Sequence, residues 1–267
     1  MAVTAAIIQA RMGSTRLPGK VMQSIGRRTV LEECLSRCLA IPGIDVVCCA
    51  TVETAEGEEI VAAAERLGCA AFRGSESDVL ARYAGAARAV GADRVLRVTS
   101  DCPFADPTLC GDVIALLAES GCDYAANNAP PSYPHGLDCE VVSADWLFRA
   151  EREGELPGDR EHVTPFIRRH PDCRRINLRT PAAEAGHAAL RLTVDYPEDL
   201  AFARALAAAL EDHAAPTDWR SIVEILARDP ALAALNRSRI DQARLSAAAP
   251  AGFRQAEGHH GAFVFLP

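Results

Sequence analysis

No stretch of this chain approaches the roughly 20 consecutive apolar residues that a membrane-spanning helix needs, and no transmembrane segment is expected. Basic residues are not in excess. Lys and Arg total 28 against 36 Asp and Glu, a formal net charge of −8. That balance disfavours a general nucleic-acid binder, whose affinity rests on many cation–phosphate contacts. The ten cysteines include no Cys-x-x-Cys pair; the nearest are Cys34 with Cys38 and the adjacent Cys48 and Cys49. Zinc sites need tighter knuckles, and reduced thiols packed as small hydrophobes are expected instead. The segment Met1–Ala10 lacks the basic start of a signal peptide and Arg11 arrives too early for one, which points to a cytoplasmic protein. There is no internal repeat and no linker long enough to separate two domains. What remains is ordinary in composition, 49% hydrophobic and 24% charged, which rules out global disorder in a chain of 267 residues.

Short apolar runs alternate with amphipathic segments. Val3–Gln9 reads as a buried strand, followed by a polar loop to about Gly26. Thr29 suits the cap of a helix to about Ala40, with Val30, Leu31, Cys34, Leu35 and Cys38 on one face. Asp45–Val52 reads as a strand and Glu58–Leu67 as a helix ended by Gly68. A strand at Ala70–Arg73, a helix from Asp78 to Val90 and a strand at Arg94–Thr99 continue the alternation. Asp106 followed by Pro107 is a helix start signal. Strands separated by helices imply a mostly parallel sheet covered on both faces, a three-layer α/β fold. From about 122 to 188 the rhythm is less regular, with strands expected at Leu137–Val142 and Arg175–Leu178 and helices at Asp145–Glu151 and Arg160–Arg169. Leu190–Val194 then reads as a strand ended by Asp195, and Pro197–Leu210, Thr217–Ala227 and Pro230–Asn236 as helices. Residues 1–245 are expected to form one domain and 246–267 a C-terminal arm or tail.

The stretch most suited to chemistry is Gln9–Lys20, Q-A-R-M-G-S-T-R-L-P-G-K. It follows the first strand directly and so lies at the carboxyl edge of the sheet, where open α/β folds bind ligands. Glycine-exposed backbone N–H groups surrounded by Arg11, Arg16 and Lys20 can cradle a polyphosphate. The loop is neither a Walker A sequence nor G-x-G-x-x-G, since five residues separate Gly13 from Gly19 and Val21 stands where a metal-binding hydroxyl belongs. Asp101 and Asp195 each end an expected strand, and two carboxylates at one edge of a parallel sheet can converge on one hard cation. Asp195 also suits a helix cap ahead of Pro197, and Asp101 a turn before Cys102–Pro103. No Ser–His–Asp arrangement or nucleophile elbow is present.

The block Ala10-Arg11-x-Gly13-Ser14-Thr15-Arg16-Leu17-Pro18-Gly19-Lys20 resembles the signature loop of cytidylyltransferases that activate sugar acids, CMP-sialic acid and CMP-KDO synthetases among them. The likeness is nearest to the spore coat polysaccharide biosynthesis protein F group. Five further blocks follow in order: Arg73–Tyr83, Arg97–Pro103, Gly136–Val141, Arg160–Pro165 and Arg191–Leu200. The resemblance covers roughly residues 3–210. It implies a Rossmann-like sheet of the nucleotidyltransferase (nucleotide-diphospho-sugar transferase) type and transfer of CMP from CTP to an acidic acceptor, with release of pyrophosphate. By position it implies phosphate contacts from Arg11 and Lys20, backbone room at Gly13 and Ser14, a nucleotide contact at Ala10, and magnesium on Asp101 and Asp195. Arg16, Asp78, Arg82, Thr99 and Ser100 become candidates for the nucleotide. His135, Asp138, Glu140, Arg160, Glu161 and His162 fall where the family carries its acceptor pocket and much of its dimer contact, and a homodimer is expected. Two other readings compete. A nucleotide-sugar glycosyltransferase would carry Asp-x-Asp, where this chain has Ser100-Asp101-Cys102. A non-catalytic nucleotide-binding subunit would tolerate loss of Lys20 or of the acids, yet all are present.

Overall fold

The computed structural model describes residues 2–211, 218–247, 253–255 and 263–265. The apolar run expected at the N-terminus is β1 (Thr4–Gln9), buried along nearly its whole length. A short hairpin, β2 (Ser24–Ile25) with β3 (Arg28–Thr29), leads into α1 (Val30–Leu39). Thr29 begins that helix through a reciprocal capping box with Glu32, as its sequence suggested. Then come β4 (Val46–Val52), α2 (Glu56–Arg66), β5 (Ala70–Gly74), α3 (Val79–Ala89), β6 (Arg94–Thr99) and α4 (Pro107–Ser120). The Asp106–Pro107 signal holds: Asp106 accepts a 2.9 Å bond from the Leu109 N–H at the head of α4.

The less regular middle contains β7 (Tyr124–Ala126), β8 (Glu140–Ser143), α5 (Ala144–Glu153), α6 (Pro157–His162), α7 (Pro165–Arg169) and β9 (Arg175–Asn177). After it come α8 (Pro197–Glu211), α9 (Trp219–Arg228), α10 (Pro230–Ala234) and α11 (Gln242–Leu245), then strands β10 (Phe253–Gln255) and β11 (Phe263–Phe265). The main sheet has the order β10-β11-β9-β7-β8-β6-β1-β4-β5. Its centre, β6-β1-β4-β5, is parallel throughout, and across the described sheet β8 and β11 are the strands that run against the rest. Alternate residues of β1 serve opposite layers. Ala6 and Ile8 join Leu96 and Val98 beneath α1, α2, α4, α8 and α9, while Ala5 and Ile7 join Val95 beneath α3 and α5. This is the three-layer arrangement expected, built on the two-residue period of a strand.

Several local expectations are corrected. Leu190–Val194 is not a strand. It makes one bridge, Arg191 with His135, and a 2.8 Å bond from Val194 N–H to the Asp101 carbonyl, because its neighbours are irregular segments rather than a ladder. The single helix expected over Arg160–Arg169 is two, divided at Val163 with φ 72°; Pro165 cannot continue the preceding turn. Strand β8 begins at Glu140 rather than Leu137, and β7 had no periodic signal in three residues. Of the expected C-terminal arm, 253–255 and 263–265 pair antiparallel, and β11 pairs with β9 at the sheet edge. The remainder of 248–267, and Thr217 at the start of an expected helix, lie outside the described residues. All ten cysteines are free thiols and nine are buried, as expected; burial pushes the Cys48 thiol up to about 12. No helix among the described residues is long and apolar enough to cross a membrane.

Candidate active site

The carboxyl edges of β1 and β6 open on a cleft of about 360 Å³. Its lining includes Ala10, Arg11, Gly13, Ser14, Arg16 and Lys20 from the loop after β1. Across from them stand Arg82 of α3, Thr99, Ser100 and Asp101 at the end of β6, Glu161 and His162 of α6, and Asp195. The sequence placed the loop, Asp101 and Asp195 at one sheet edge, and the fold brings them together there with Arg82, Glu161 and His162.

The loop folds back on itself. Gly19 N–H donates to the Met12 carbonyl at 3.1 Å, and Gly19 adopts φ 64°, a left-handed conformation that glycine takes without a side-chain penalty. Ser14 closes the turn by accepting from the Leu17 N–H at 3.3 Å. Lys20 is thereby aimed inward. Its Nζ donates to Asp101 Oδ2 at 2.8 Å, to Asp195 Oδ1 at 2.9 Å and to the Val194 carbonyl at 2.9 Å. Three donors meet three acceptors, which saturates an ammonium.

Asp195 is shared. Arg16 donates to its Oδ1 at 2.7 Å and Arg191 to its Oδ2 at 2.8 Å. Burial works against ionisation, but Lys20, Arg16 and Arg191 outweigh it and hold this carboxyl at about 2. Asp101 is likewise held below its ordinary value, burial being outweighed by Lys20. The same contacts raise Lys20 against its own desolvation. The helix-cap reading of Asp195 is not what the structure shows. Asp199, fully buried on α8, takes the N–H groups of Asp195 and Tyr196, each at 3.0 Å, and leaves the Asp195 side chain to the cations.

Arg82 reaches the cleft from a buried position, bonded through Nη1 to the Ser75 carbonyl, with its Nε buried and unpartnered. Desolvation lowers its affinity for a proton. Asp78 has another duty: it caps α3 through the Ala81 N–H at 2.9 Å and pairs with Arg160, and neither residue lines the cleft. Glu140 lies beneath, fixed by Arg97 at 2.7 Å and by Tyr124 and Thr164. His135 and Asp138 lie beyond Asp195. His135 Nδ1 meets Arg191 at 3.1 Å, and Asp138 pairs with Arg244 at 2.6 Å. Burial holds His135 below its usual pKa, with Arg244 and Arg191 adding to the effect.

Two residues given no role from sequence prove central, Arg191 and Asp199. Arg191 grips Asp199 through Nε and Nη2 at 2.8 and 2.9 Å while holding Asp195. The four-residue spacing of 191, 195 and 199 was their one signal, and it looks like an ordinary charge pattern until the chain is folded.

The two carboxylates suit a divalent metal, because the Lys20 ammonium, itself a compact cation, meets both of them at one point. Magnesium accepts few protein carboxylates and completes its shell with phosphate oxygens and water, which suits two aspartates beside a phosphate cradle.

A glycine-containing loop rich in cations at the carboxyl edge of a three-layer sheet, with paired aspartates beneath it, is the arrangement of a nucleotidyltransferase. The cytidylyltransferase family model matches residues 5–222, and the chain belongs to that family. The spore coat polysaccharide biosynthesis protein SpsF of Bacillus subtilis is 35% identical over 206 residues, 75% of this chain and 84% of that protein. A cytidylyltransferase from Leptospira borgpetersenii superposes with a TM-score of 0.79 at 26% identity, covering 87% of this chain and 97% of that one. A CMP:2-keto-3-deoxy-manno-octonic acid synthetase solved with CTP shares the fold, with a TM-score of 0.58 at 19% identity over 78% of this chain and all of that one.

Proposed function

We propose that the protein transfers CMP from CTP to an acidic acceptor, a sugar acid or a phosphonate, and releases pyrophosphate with magnesium as its metal. The observation that carries this reading is the meeting of Lys20, Asp101 and Asp195 beneath the glycine loop. The synthetase solved with CTP is named for a sugar acid joined to CMP, and the lining of this cleft carries Arg11, Arg16, Lys20 and Arg82. Both support an anionic acceptor. A homodimer working in the cytoplasm accords with the family resemblance.

Cytidylyl transfer is an in-line displacement at the α-phosphorus, and the protein contributes mainly placement and charge neutralisation. Arg11, Arg16 and Lys20 would gather the triphosphate and offset charge on the departing pyrophosphate. Arg82, Thr99 and Ser100 would face the nucleoside. Asp101 and Asp195 would hold the metal, which when bound neutralises phosphate charge and lowers the pKa of the acceptor hydroxyl. Glu161 and His162 border the cleft from α6 and are placed to meet the acceptor.

The test is direct. CTP, magnesium and a panel of sugar acids and phosphonates should give pyrophosphate with at least one acceptor, and CTP should raise the melting temperature more than ATP or GTP does. Equal shifts from all three nucleotides would defeat the cytidine assignment.

A further inference from the structure

Lys20 is the only lysine in the sequence; every other one of the 28 basic residues is arginine. It stands at the one place where a single atom donates to Asp101, Asp195 and a backbone carbonyl at 2.8–2.9 Å. A compact ammonium sends three bonds from one nitrogen, whereas a guanidinium spreads its donors over a planar fork. The position therefore calls for a point charge, which is also how a metal ion would present itself to the same oxygens.

Resting on the functional reading above, we propose that Lys20 and a divalent metal are mutually exclusive occupants of the Asp101–Asp195 pair. The metal would then enter with the nucleotide rather than ahead of it. Asp195 Oδ1 is taken by Lys20 and Arg16 and its Oδ2 by Arg191. Asp101 Oδ2 is taken by Lys20. The three cations, Arg16, Lys20 and Arg191, balance the three carboxylates of Asp101, Asp195 and Asp199. A dication arriving alone meets a neutral cluster and must break the ammonium's bonds without offering it other acceptors. A triphosphate changes that. It brings oxygens to the loop that carries Lys20, whose backbone is tied to Leu17, and the flexible four-carbon stem can follow them while the backbone stays in place. The carboxylates are then released to the metal that accompanies the nucleotide.

A sole lysine makes the exchange visible in the unaltered protein. With ε-15N-lysine, the ammonium of Lys20 gives a single side-chain resonance. Millimolar Mg2+ alone should leave it in place, and Mg2+ with CTP should move it. In parallel, Mn2+ binding without nucleotide is followed by the spin resonance of the free ion in wild type and in Lys20→Met. The variant should bind Mn2+ roughly tenfold more tightly or better, since a competing charge has been removed. A saturable response of the lysine signal to Mg2+ alone would overturn entry of the metal with the nucleotide. A Lys20→Met protein that binds Mn2+ no better than wild type would overturn the exclusivity, as would a lysine signal unmoved while calorimetry shows Mg2+ and CTP binding. Lys20→Gln is the second variant should Lys20→Met fail to fold. Calorimetry separates the two readings: absence of CTP binding sinks the assigned function, and the nucleotide-free Mn2+ comparison still decides the exclusivity.

Discussion

Asp195 shows how a side chain that carries two readings in a sequence can lose one of them in the fold. Its place before Tyr196–Pro197 suits a cap, yet Asp199 performs that service and Asp195 faces three cations. Asp101→Asn and Asp195→Asn should each reduce pyrophosphate release by about two orders of magnitude or more with the circular dichroism spectrum unchanged, the scale for loss of one preorganised charged group. The double variant should cost little beyond either single one, because residues acting as a unit are strongly non-additive. Normal turnover in Asp195→Asn would remove it from the reaction. A second consequence concerns acid. Because the folded carboxyl titrates at about 2, below its ordinary value of 3.8, its ion pairs stabilise the fold fully above the ordinary value and are lost as pH falls toward the folded one. The contribution is roughly 2 kcal/mol. The stability advantage of wild type over Asp195→Asn in urea unfolding should therefore be constant near pH 6 and shrink between about pH 4 and pH 2. Arg191, by contrast, offered only its spacing to Asp195 and Asp199, a pattern that a solvated charge run shares, and the fold alone shows it buried between them.

Elements were legible where the chain writes its own boundaries. Thr29, and Asp106 with Pro107, announced helix starts that the structure contains. Asp106 does more than the sequence could tell. Its second oxygen accepts from the Trp219 N–H at 2.7 Å, so one buried carboxylate begins α4 and also anchors the head of α9. Asp106→Ala should destabilise the protein by about 2–4 kcal/mol, beyond the loss of a cap alone, because two buried donors lose their acceptor. A loss under 1 kcal/mol in chemical denaturation would show that water or a rearrangement replaces it. Where boundaries depend on distant partners the reading failed. Three residues of β7 carry no period, and Leu190–Val194 has the composition of a strand but no ladder to join.

At the scale of the whole molecule, the alternation of strands and helices settled the layers, because each β1 residue must face one of two helical sheets of side chains. The order of strands past β6 was beyond it, since β8 and β7 are placed by long-range pairing. Assembly is the property tested most simply: light scattering at micromolar concentration should give twice the chain mass of 28.5 kDa, and a value near the chain mass would refute the proposed dimer. The buried carboxylate of Asp199 carries a different kind of consequence. It accepts from Arg191, from the N–H groups of Asp195 and Tyr196, and from Asn236, joining the segment 191–199 to a residue 37 positions further along the chain. A lineage cannot exchange one member of such a set without stranding the others, so mutational drift at residues 191, 199 and 236 is expected to be concerted. Across descendants of a common ancestor these three letters should persist together or be replaced together, and a tree in which they vary independently would show that the junction is easier to rebuild than its geometry suggests.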